Sequence, residues 1–209
     1  MIKPIETIYN GYRFRSRLEA RWAVFFDAAH IKYEYEPDGF DLDGEYYLPD
    51  FYLSDFDLYV EIKPFDGNIV KHVGDGNEWE RKCEKFRDKT DKPILLCYGD
   101  PAESVYNLLF AWAVNDSGGG YSEWNAMFTD NPSGQNVVLM IENYKDYDVR
   151  WNLCMKERSP RVIMASSDEE WSEYAMRIDV SSYLEESACA RAQIAGRQAR
   201  FEHGEKPQI

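Results

Sequence analysis

Hydrophobic residues recur at intervals of three and four between residues 16 and 29, and this spacing predicts a helix with one buried face. Ser16 is placed to cap the start of this helix. Glu19 follows three residues later, which fits a capping box in which its carboxylate accepts a hydrogen bond from a free backbone N–H. The pattern by itself therefore gives Glu19 an ordinary structural role.

Alternation of apolar and polar residues predicts three strands after this helix, at residues 31–36, 46–53 and 58–63. The second contains Pro49, which has no N–H to donate to a regular ladder. In the third strand, successive side chains point to opposite faces. One face is apolar, and the other carries Tyr59, Glu61 and Lys63.

Further along the chain, a charged helix is predicted at residues 77–89 and a strand at 93–98, apolar enough to be buried on both faces. Strand, helix and strand in this order indicate a crossover unit. Beyond residue 99 the patterns are weaker. They predict a helix at 103–114, a strand at 136–141, an apolar stretch at 162–165 and a helix at 182–201.

These elements predict an α/β fold in which a mixed central sheet is flanked by helices, with a C-terminal α-helical extension. Residues 1–100 are expected to form the core. Residues 101–181 are expected to add an α/β region packed on that core, and residues 182–209 a C-terminal helix with a polar tail.

The composition is that of a folded domain, since 44% of the 209 residues are hydrophobic and 30% are charged. The formal net charge of −14 argues against nucleic-acid binding by bulk attraction, because phosphate binding depends on clustered Lys and Arg. The charge is uneven, however, and one segment gathers Arg13, Arg15, Arg17 and Arg21. A local basic surface and an acidic surface that mimics nucleic acid are both open alternatives.

The four cysteines are widely separated and lack the two-residue spacing of zinc or redox motifs, which indicates reduced, mostly buried thiols. The first residues lack the apolar stretch of a signal peptide. The longest apolar run, residues 108–114, is far shorter than the roughly 20 residues that span a bilayer. These features predict a cytoplasmic protein with no membrane partner.

Two acidic residues, Asp50 and Glu61, lie on neighbouring predicted strands, so a hairpin-like return brings their carboxylates together. Two close carboxylates repel each other unless a cation lies between them, and such oxygen ligands suit Mg²⁺ or Mn²⁺. A bound ion of this kind activates water and stabilises charge on a phosphate. Lys63 shares a strand face with Glu61, so its ammonium points at the same volume. The backbone carbonyl of Ile62 is a natural extra ligand, and Glu19 completes the site if the first helix packs beside these strands.

Pro49-Asp50, a spacer and Glu61-Ile62-Lys63 together resemble the motif of the PD-(D/E)xK nuclease superfamily. The runs at residues 14–23, 33–37 and 47–51 are similar to nucleases of the very-short-patch-repair, TnsA-like and Holliday-junction-resolvase kinds. In those nucleases a glutamate on the first helix precedes the paired acids, which implies a metal role for Glu19. The same block looks like proteins encoded by bacteriophages and prophages. The resemblance covers about the first hundred residues and, loosely, the tail at 197–205, but not residues 100–182.

The resemblance implies a restriction-endonuclease-like core and a Mg²⁺- or Mn²⁺-dependent enzyme that hydrolyses phosphodiester bonds, with DNA as the expected substrate. The catalytic residues that it implies are Asp50, Glu61, Lys63 and Glu19. The implied metal ligands are Asp50, Glu61, Glu19 and the carbonyl of Ile62. The residues expected to hold the nucleic-acid backbone are Arg13, Arg15, Arg17 and Lys71.

Three alternatives are left open by the sequence. An acidic phage protein could use the nuclease-like fold as a scaffold to inhibit a host defence or nucleic-acid-binding protein, although all four site positions are retained, which favours the enzyme. The target could be RNA or a branched junction. The chain could also be a subunit that cleaves only within a larger complex with a protein partner. A homodimer is a separate hypothesis, because cutting both strands of a duplex usually needs two sites.

Overall fold

The structure is a computed structural model that describes residues 4–64, 78–90, 92–101, 112–114, 125–130, 137–142, 162–165 and 188–201. In chain order, the described strands are β1 (Thr7–Tyr9), β2 (Tyr12–Phe14), β3 (Tyr33–Tyr35), β4 (Phe40–Leu42), β5 (Glu45–Tyr47), β6 (Phe51–Leu53), β7 (Leu58–Lys63), β8 (Ile94–Tyr98), β9 (Trp112–Val114), β10 (Asn125–Asp130), β11 (Val137–Glu142) and β12 (Val162–Ala165). The described helices are α1 (Arg17–Ala28), α2 (Glu78–Thr90) and α3 (Ala188–Gln198).

A five-stranded mixed sheet forms the centre of the fold, in the order β3-β6-β7-β8-β9. β7 and β8 run parallel, and the other neighbouring strands run antiparallel. Because α2 lies in the chain between the two parallel strands, the predicted crossover unit is confirmed. The predicted α/β class, with a mixed central sheet and flanking helices, is confirmed as well.

The central sheet is buried on both faces, and each face packs against a different helix. On β7, Leu58, Val60 and Ile62 join the buried aromatic residues of α1 in one apolar cluster. Tyr59 lies in a second cluster with Cys83 and Phe86 of α2. The predicted alternation along β7 is therefore observed, and the face that carries Glu61 and Lys63 is the face that α2 covers.

α1 is capped at both ends by local hydrogen bonds. At its start, Ser16 Oγ accepts from the backbone N–H of Glu19 at 3.2 Å, as the sequence predicted. At its end, His30 takes a left-handed conformation with φ of 56°. The N–H groups of His30 and Ile31 then donate to the carbonyls of Asp27 and Phe26, at 3.0 and 2.8 Å, which is the pattern of a Schellman motif.

Two hairpins flank the sheet, and the sequence analysis missed three of their four strands. β1 and β2 pair around Asn10-Gly11, and β4 and β5 pair around Asp43-Gly44. All four turn residues have positive φ, between 47° and 87°, which is the conformation of a type I′ turn. Asn-Gly and Asp-Gly between apolar-polar alternations are the usual signature of such turns, so the signal was present in the sequence.

Other predicted boundaries need correction. The single strand expected at 46–53 is two strands, β5 and β6, because the chain leaves the hairpin and enters the central sheet at Leu48-Pro49-Asp50. The strand expected at 31–36 is shorter because Glu36 has a φ of 46°. The end of the helix expected at 103–114 is wrong, since 112–114 is strand β9, which pairs antiparallel with β8. Tertiary pairing overrides helical periodicity here; the rest of that helix lies outside the described residues.

Residues beyond 100 also contribute to the fold. β9 extends the central sheet, and β10 forms a separate sheet with β11 and β12, in which β11 and β12 are parallel. Phe128 of β10 and Cys189 of α3 belong to the same apolar cluster as α1. The described part of the region predicted at 101–181 therefore contacts the core, while its division into a separate unit stays a prediction.

α3 packs directly along α1. A Cβ atom added at Gly196 would lie 2.8 Å from the carbonyl oxygen of Arg21 and 3.2 Å from Phe25 Cβ. Glycine therefore allows the two helices to come this close. The predicted C-terminal helix is observed over Ala188–Gln198; its expected beginning at 182–187 lies outside the described residues.

Within the described ranges, no helix combines the length and the apolar character needed to cross a membrane. Cys83, Cys97 and Cys189 are free and buried, as predicted.

Candidate active site

Asp50 stands where the chain enters β6, and it is held by the neighbouring strand. Its side chain is buried, with 4% of its surface exposed. Oδ2 accepts a hydrogen bond of 2.7 Å from the backbone N–H of Ile62 in β7. The carboxylate therefore points toward the stretch of β7 that carries Glu61 and Lys63, as the spacing predicted.

Glu61 is as deeply buried as Asp50, with 3% of its surface exposed, and both of its oxygens have partners. Tyr47 donates its hydroxyl hydrogen to Oε2 at 2.9 Å. Oε1 forms an ion pair with the ammonium of Lys63. Burial, Cys83 and Glu61 all raise the pKa of Tyr47, so its hydroxyl keeps its proton and remains a donor. Tyr47 thus fixes Oε2 of Glu61, and Oε1 is the oxygen that pairs with Lys63.

The acidic residues of the site act on one another through their charges. Burial is the main cause that raises the pKa of Asp50 well above its usual range, and the charge of Glu61 raises it further. Glu19 also raises it, while Lys63 and the hydrogen bond from Ile62 act in the opposite direction. All four predicted catalytic residues therefore contribute to one electrostatic environment.

Glu19 accepts hydrogen bonds from residues at the start of α1 and from Tyr35 of β3. Oε1 accepts from Ser16 Oγ at 2.6 Å, and Oε2 accepts from the backbone N–H of Arg15 at 3.1 Å. The hydroxyl of Tyr35 also donates to Oε2, at 2.5 Å. The capping interpretation of Glu19 is confirmed, with the bond to the N–H one residue before the cap. Its predicted metal role stays a prediction, since no direct contact joins it to Asp50 or Glu61 in the described structure.

Arg15 bridges the start of α1 and the acidic site. Its guanidinium lies 2.5 Å from Glu36 Oε1 and 3.4 Å from Asp50 Oδ1. Burial opposes its charge, but the hydrogen bond with Tyr35 and the charges of Glu36 and Asp50 leave the pKa of Arg15 raised. More than half of its side chain, 56%, is exposed. Arg15 is therefore a cation at the rim of the site with access to solvent.

The other predicted backbone contacts differ in their placement. Arg13 lies on β2 and forms an ion pair with Glu6, and both side chains are well exposed. Arg17 opens α1 and is partly buried. Lys71 lies outside the described residues. Arg15 is the member of this group that the structure places against Asp50.

Tyr47 and Trp79 are site residues that the sequence analysis did not single out. Tyr47 comes from the hairpin strand β5, and Trp79 comes from α2. The ammonium of Lys63 lies 3.9 Å from the centroid of the Trp79 ring. No sequence motif links these aromatic residues to Glu61 or Lys63, because the contacts exist only once β5 and α2 have packed against β7.

The chemistry of Asp50 and Glu61 fits a divalent cation. Two buried carboxylates, one of which has a raised pKa, form a site where a hard cation would relieve repulsion. Within the residues that the structure describes, no three His, Cys, Asp or Glu side chains form a ready-made metal cluster. A site with two carboxylates suits Mg²⁺, which usually keeps several water ligands.

Comparisons of the chain with protein-family models, with curated proteins and with solved structures find no match.

Proposed function

We propose that this protein is a divalent-metal-dependent nuclease of the PD-(D/E)xK kind, with a restriction-endonuclease-like core, and that it hydrolyses phosphodiester bonds in DNA. The observation that carries the proposal is the buried group of Asp50, Glu61 and Lys63, in which burial and the charge of Glu61 raise the pKa of Asp50. The resemblance of the motif, and the order of α1, the paired strands and the crossover, support the same assignment.

Each residue has a distinct part in this proposal. Asp50 and Glu61 hold Mg²⁺ or Mn²⁺ through their carboxylates, and the carbonyl of Ile62 adds a further oxygen. Glu19 contributes negative charge to the same volume, since it already raises the pKa of Asp50. Lys63 places its ammonium beside Glu61, where it orients the attacking water or neutralises the charge that develops on the phosphate. The bound ion supplies Lewis-acid activation of water and phosphate.

A purely structural role explains this group less well. Burying a carboxylate costs several kcal/mol, and a buried ion pair is often no more stabilising than apolar residues of the same volume. Here Asp50 and Glu61 are both buried; the ammonium of Lys63 pairs with Glu61, while Asp50 has the largely exposed guanidinium of Arg15 at 3.4 Å. A buried carboxylate with a raised pKa, such as Asp50, is typical of functional sites, so chemistry is the better account of this group.

The setting of the activity is part of the proposal. In this proposal the enzyme is encoded by a phage and acts on DNA in the host cytoplasm, which agrees with the sequence resemblance. It works as a homodimer when it cuts both strands. Arg15 is the residue best placed to meet a phosphate, because it is exposed and its guanidinium lies beside Asp50.

The test is cleavage of linear, circular, single-stranded and branched DNA, and of RNA, with Mg²⁺, with Mn²⁺ and with a chelator. Metal-dependent cleavage is expected for the wild type, and Asp50→Asn and Lys63→Met should each lower it by at least about a hundredfold. Asp38→Asn, in an exposed loop, is the matched control and should cleave like the wild type. Absence of cleavage on every substrate, with both site variants binding a host protein as the wild type does, would replace the nuclease with the inhibitor alternative.

A further inference from the structure

α2 contributes an aromatic ring to a site whose predicted catalytic residues come from α1 (Glu19), from the residue before β6 (Asp50) and from β7 (Glu61 and Lys63). Trp79 lies one residue after the first residue of α2 and is half-buried. Its ring faces the ammonium of Lys63, with 3.9 Å between Nζ and the ring centroid. That separation is well within the range of about 6 Å in which a cation is attracted to the face of an indole.

The backbone of Lys63 is fixed, but its side chain needs separate support. The carbonyl of Lys63 accepts a hydrogen bond of 2.8 Å from the N–H of Gly99, which ties the end of β7 to the end of β8. Beyond Cα, four methylene groups carry the ammonium, and 15% of the side chain is exposed. Within the described residues, the ammonium contacts both Oε1 of Glu61 and the ring of Trp79.

Among the described residues, the contacts that Glu61 and Trp79 make with Lys63 are not equivalent. Oε2 of Glu61 is engaged by Tyr47, so Oε1 is the oxygen that pairs with Lys63. If the carboxylate of Glu61 held a metal ion, as in the proposed function, its attraction for the ammonium of Lys63 would weaken. The ring of Trp79 does not ligate Mg²⁺ and adds no formal negative charge beside Asp50 and Glu61. It can therefore keep its contact with the ammonium in both conditions.

We propose that Trp79 is the positioning residue for Lys63, holding the ammonium in the site when Glu61 is engaged with a metal ion. This inference rests on the proposed function for its catalytic consequence, but the contact itself can be measured without any activity. Trp79 acts through Lys63 and does not touch the reacting atoms.

The same helix provides a matched control. Lys82 Nζ also lies near the Trp79 ring, at 5.0 Å from the centroid, but it pairs with Glu45 and Glu78 on the surface. Removing this second cation changes the charge beside the ring without touching Lys63. Lys82→Met therefore separates a general effect of α2 from the specific effect of the ring on Lys63.

The experiment compares Trp79→Leu, Trp79→Phe and Lys82→Met with the wild type in two measurements. The first is the NMR signal of the Lys63 Cε–Hε group in protein labelled with ¹³C-lysine, assigned by its absence in Lys63→Met, recorded with and without Mg²⁺. A proton above an indole face is shifted upfield by the ring current. The upfield shift is expected in the wild type and in Lys82→Met, to persist with Mg²⁺, to decrease in Trp79→Phe and to vanish in Trp79→Leu.

The second measurement is kcat and KM on the DNA substrate that the wild type cuts best. Trp79→Leu is expected to lower kcat by about 2- to 30-fold with KM little changed, because a cation–π contact of this strength is lost. Trp79→Phe is expected to recover part of that loss, and Lys82→Met to cost nothing. Far-UV circular dichroism checks that each variant is folded, and Trp79→Phe retains a ring that fills most of the space of the indole.

The two proposals fail in different ways. If the wild type cuts no nucleic acid, the proposed function fails, and the NMR comparison alone decides whether Trp79 holds Lys63. If the wild type is a nuclease but Trp79→Leu leaves kcat and the Lys63 signal unchanged, the positioning role is overturned. A loss of kcat in Trp79→Leu with an unchanged Lys63 signal also overturns it, because the effect would then not pass through Lys63.

Discussion

The carboxylate of Asp50 accepts a hydrogen bond of 2.7 Å from the backbone N–H of Ile62, which lies between Glu61 and Lys63 on the adjacent strand. The register of β6 and β7 pairs Phe51 with Val60, so the next step along both strands brings Asp50 beside Glu61. The hydrogen bond goes one residue further and ties the Asp50 side chain to the centre of the motif. Two segments that are separated in sequence are thereby held as one unit.

Asp50→Asn is expected to stabilise the protein at neutral pH while removing activity. The pKa of Asp50 is raised in the folded state, chiefly by burial, so the folded protein binds this proton more tightly than the unfolded chain does. The charged carboxylate then lowers the free energy of unfolding. This cost is absent below the unfolded pKa, near about 4, and grows as pH rises through the raised folded value.

Urea unfolding of Asp50→Asn and wild type between pH 4 and pH 8 measures this effect. The variant should be more stable by about 1–3 kcal/mol at pH 8, and the difference should shrink toward pH 4. Asp38→Asn, in an exposed loop, should show no such trend. A variant that is less stable than the wild type at pH 8 would mean that the charge of Asp50 stabilises the fold.

Ser16→Ala and Glu19→Gln should separate the two roles assigned to Glu19. Ser16→Ala removes the cap of α1 and should cost about 1 kcal/mol of stability, with cleavage per folded molecule unchanged. Glu19→Gln keeps an oxygen that can accept from the Arg15 N–H but removes the charge that acts on Asp50. It should change the free energy of unfolding little. It should raise the Mg²⁺ concentration needed for half-maximal cleavage by about 10- to 100-fold. Equal Mg²⁺ titration curves for Glu19→Gln and wild type would leave Glu19 with the capping role alone.

Arg15→Gln and Arg13→Gln should differ, although the two arginines are only two residues apart in sequence. Arg15 lies against Asp50 at the rim of the site, whereas Arg13 pairs with Glu6 on an exposed hairpin. Loss of Arg15 should raise the KM for DNA by about tenfold. It should also lower by about one the number of counterions released on binding, which is read from the slope of log K against log salt concentration. Loss of Arg13 should change KM by less than about twofold. Steady-state cleavage kinetics measures KM, and fluorescence anisotropy with labelled DNA across a range of NaCl concentrations measures the salt dependence of binding. Equal effects of the two substitutions would indicate a diffuse basic field instead of a defined contact.

Gly196→Ala should destabilise the protein even though alanine favours helices. The added Cβ would lie 2.8 Å from the Arg21 carbonyl, a backbone atom that cannot move aside without shifting α1. Overpacking of this kind costs about 1–3 kcal/mol, and the gain in helix propensity offsets about 1 kcal/mol of it. Thermal and urea unfolding should show the net loss. Arg197→Ala, exposed on the same helix, should be neutral within about 0.5 kcal/mol.

Local patterns were sufficient to predict several parts of the fold. The spacing of apolar residues identified α1, and Ser16 with Glu19 identified its cap. The alternation in β7 placed Glu61 and Lys63 on one face, and the apolar run of β8 identified a fully buried strand. Each of these depends on residues close together in the chain, where side-chain periodicity determines which surface is buried.

The rest depended on contacts between distant segments. β9 is a strand because it pairs with the edge of β8, which its own sequence does not reveal. Asp50 and Glu61 were identified from their spacing, but Tyr47 and Trp79 reach the site from a hairpin and from a helix. The two hairpin turns are a different case, since Asn10-Gly11 and Asp43-Gly44 carried the information and it was not used.

The packing of α3 on α1 has a consequence for when the candidate active site can form during synthesis. The four predicted catalytic residues are translated within the first 63 positions, yet the helix that carries Glu19 is covered by Ala192 and Gly196, which emerge from the ribosome far later. A nascent chain that has completed the sheet still exposes the apolar surface of α1 that α3 buries. A competent site should therefore form only in chains that have been made through residue 198.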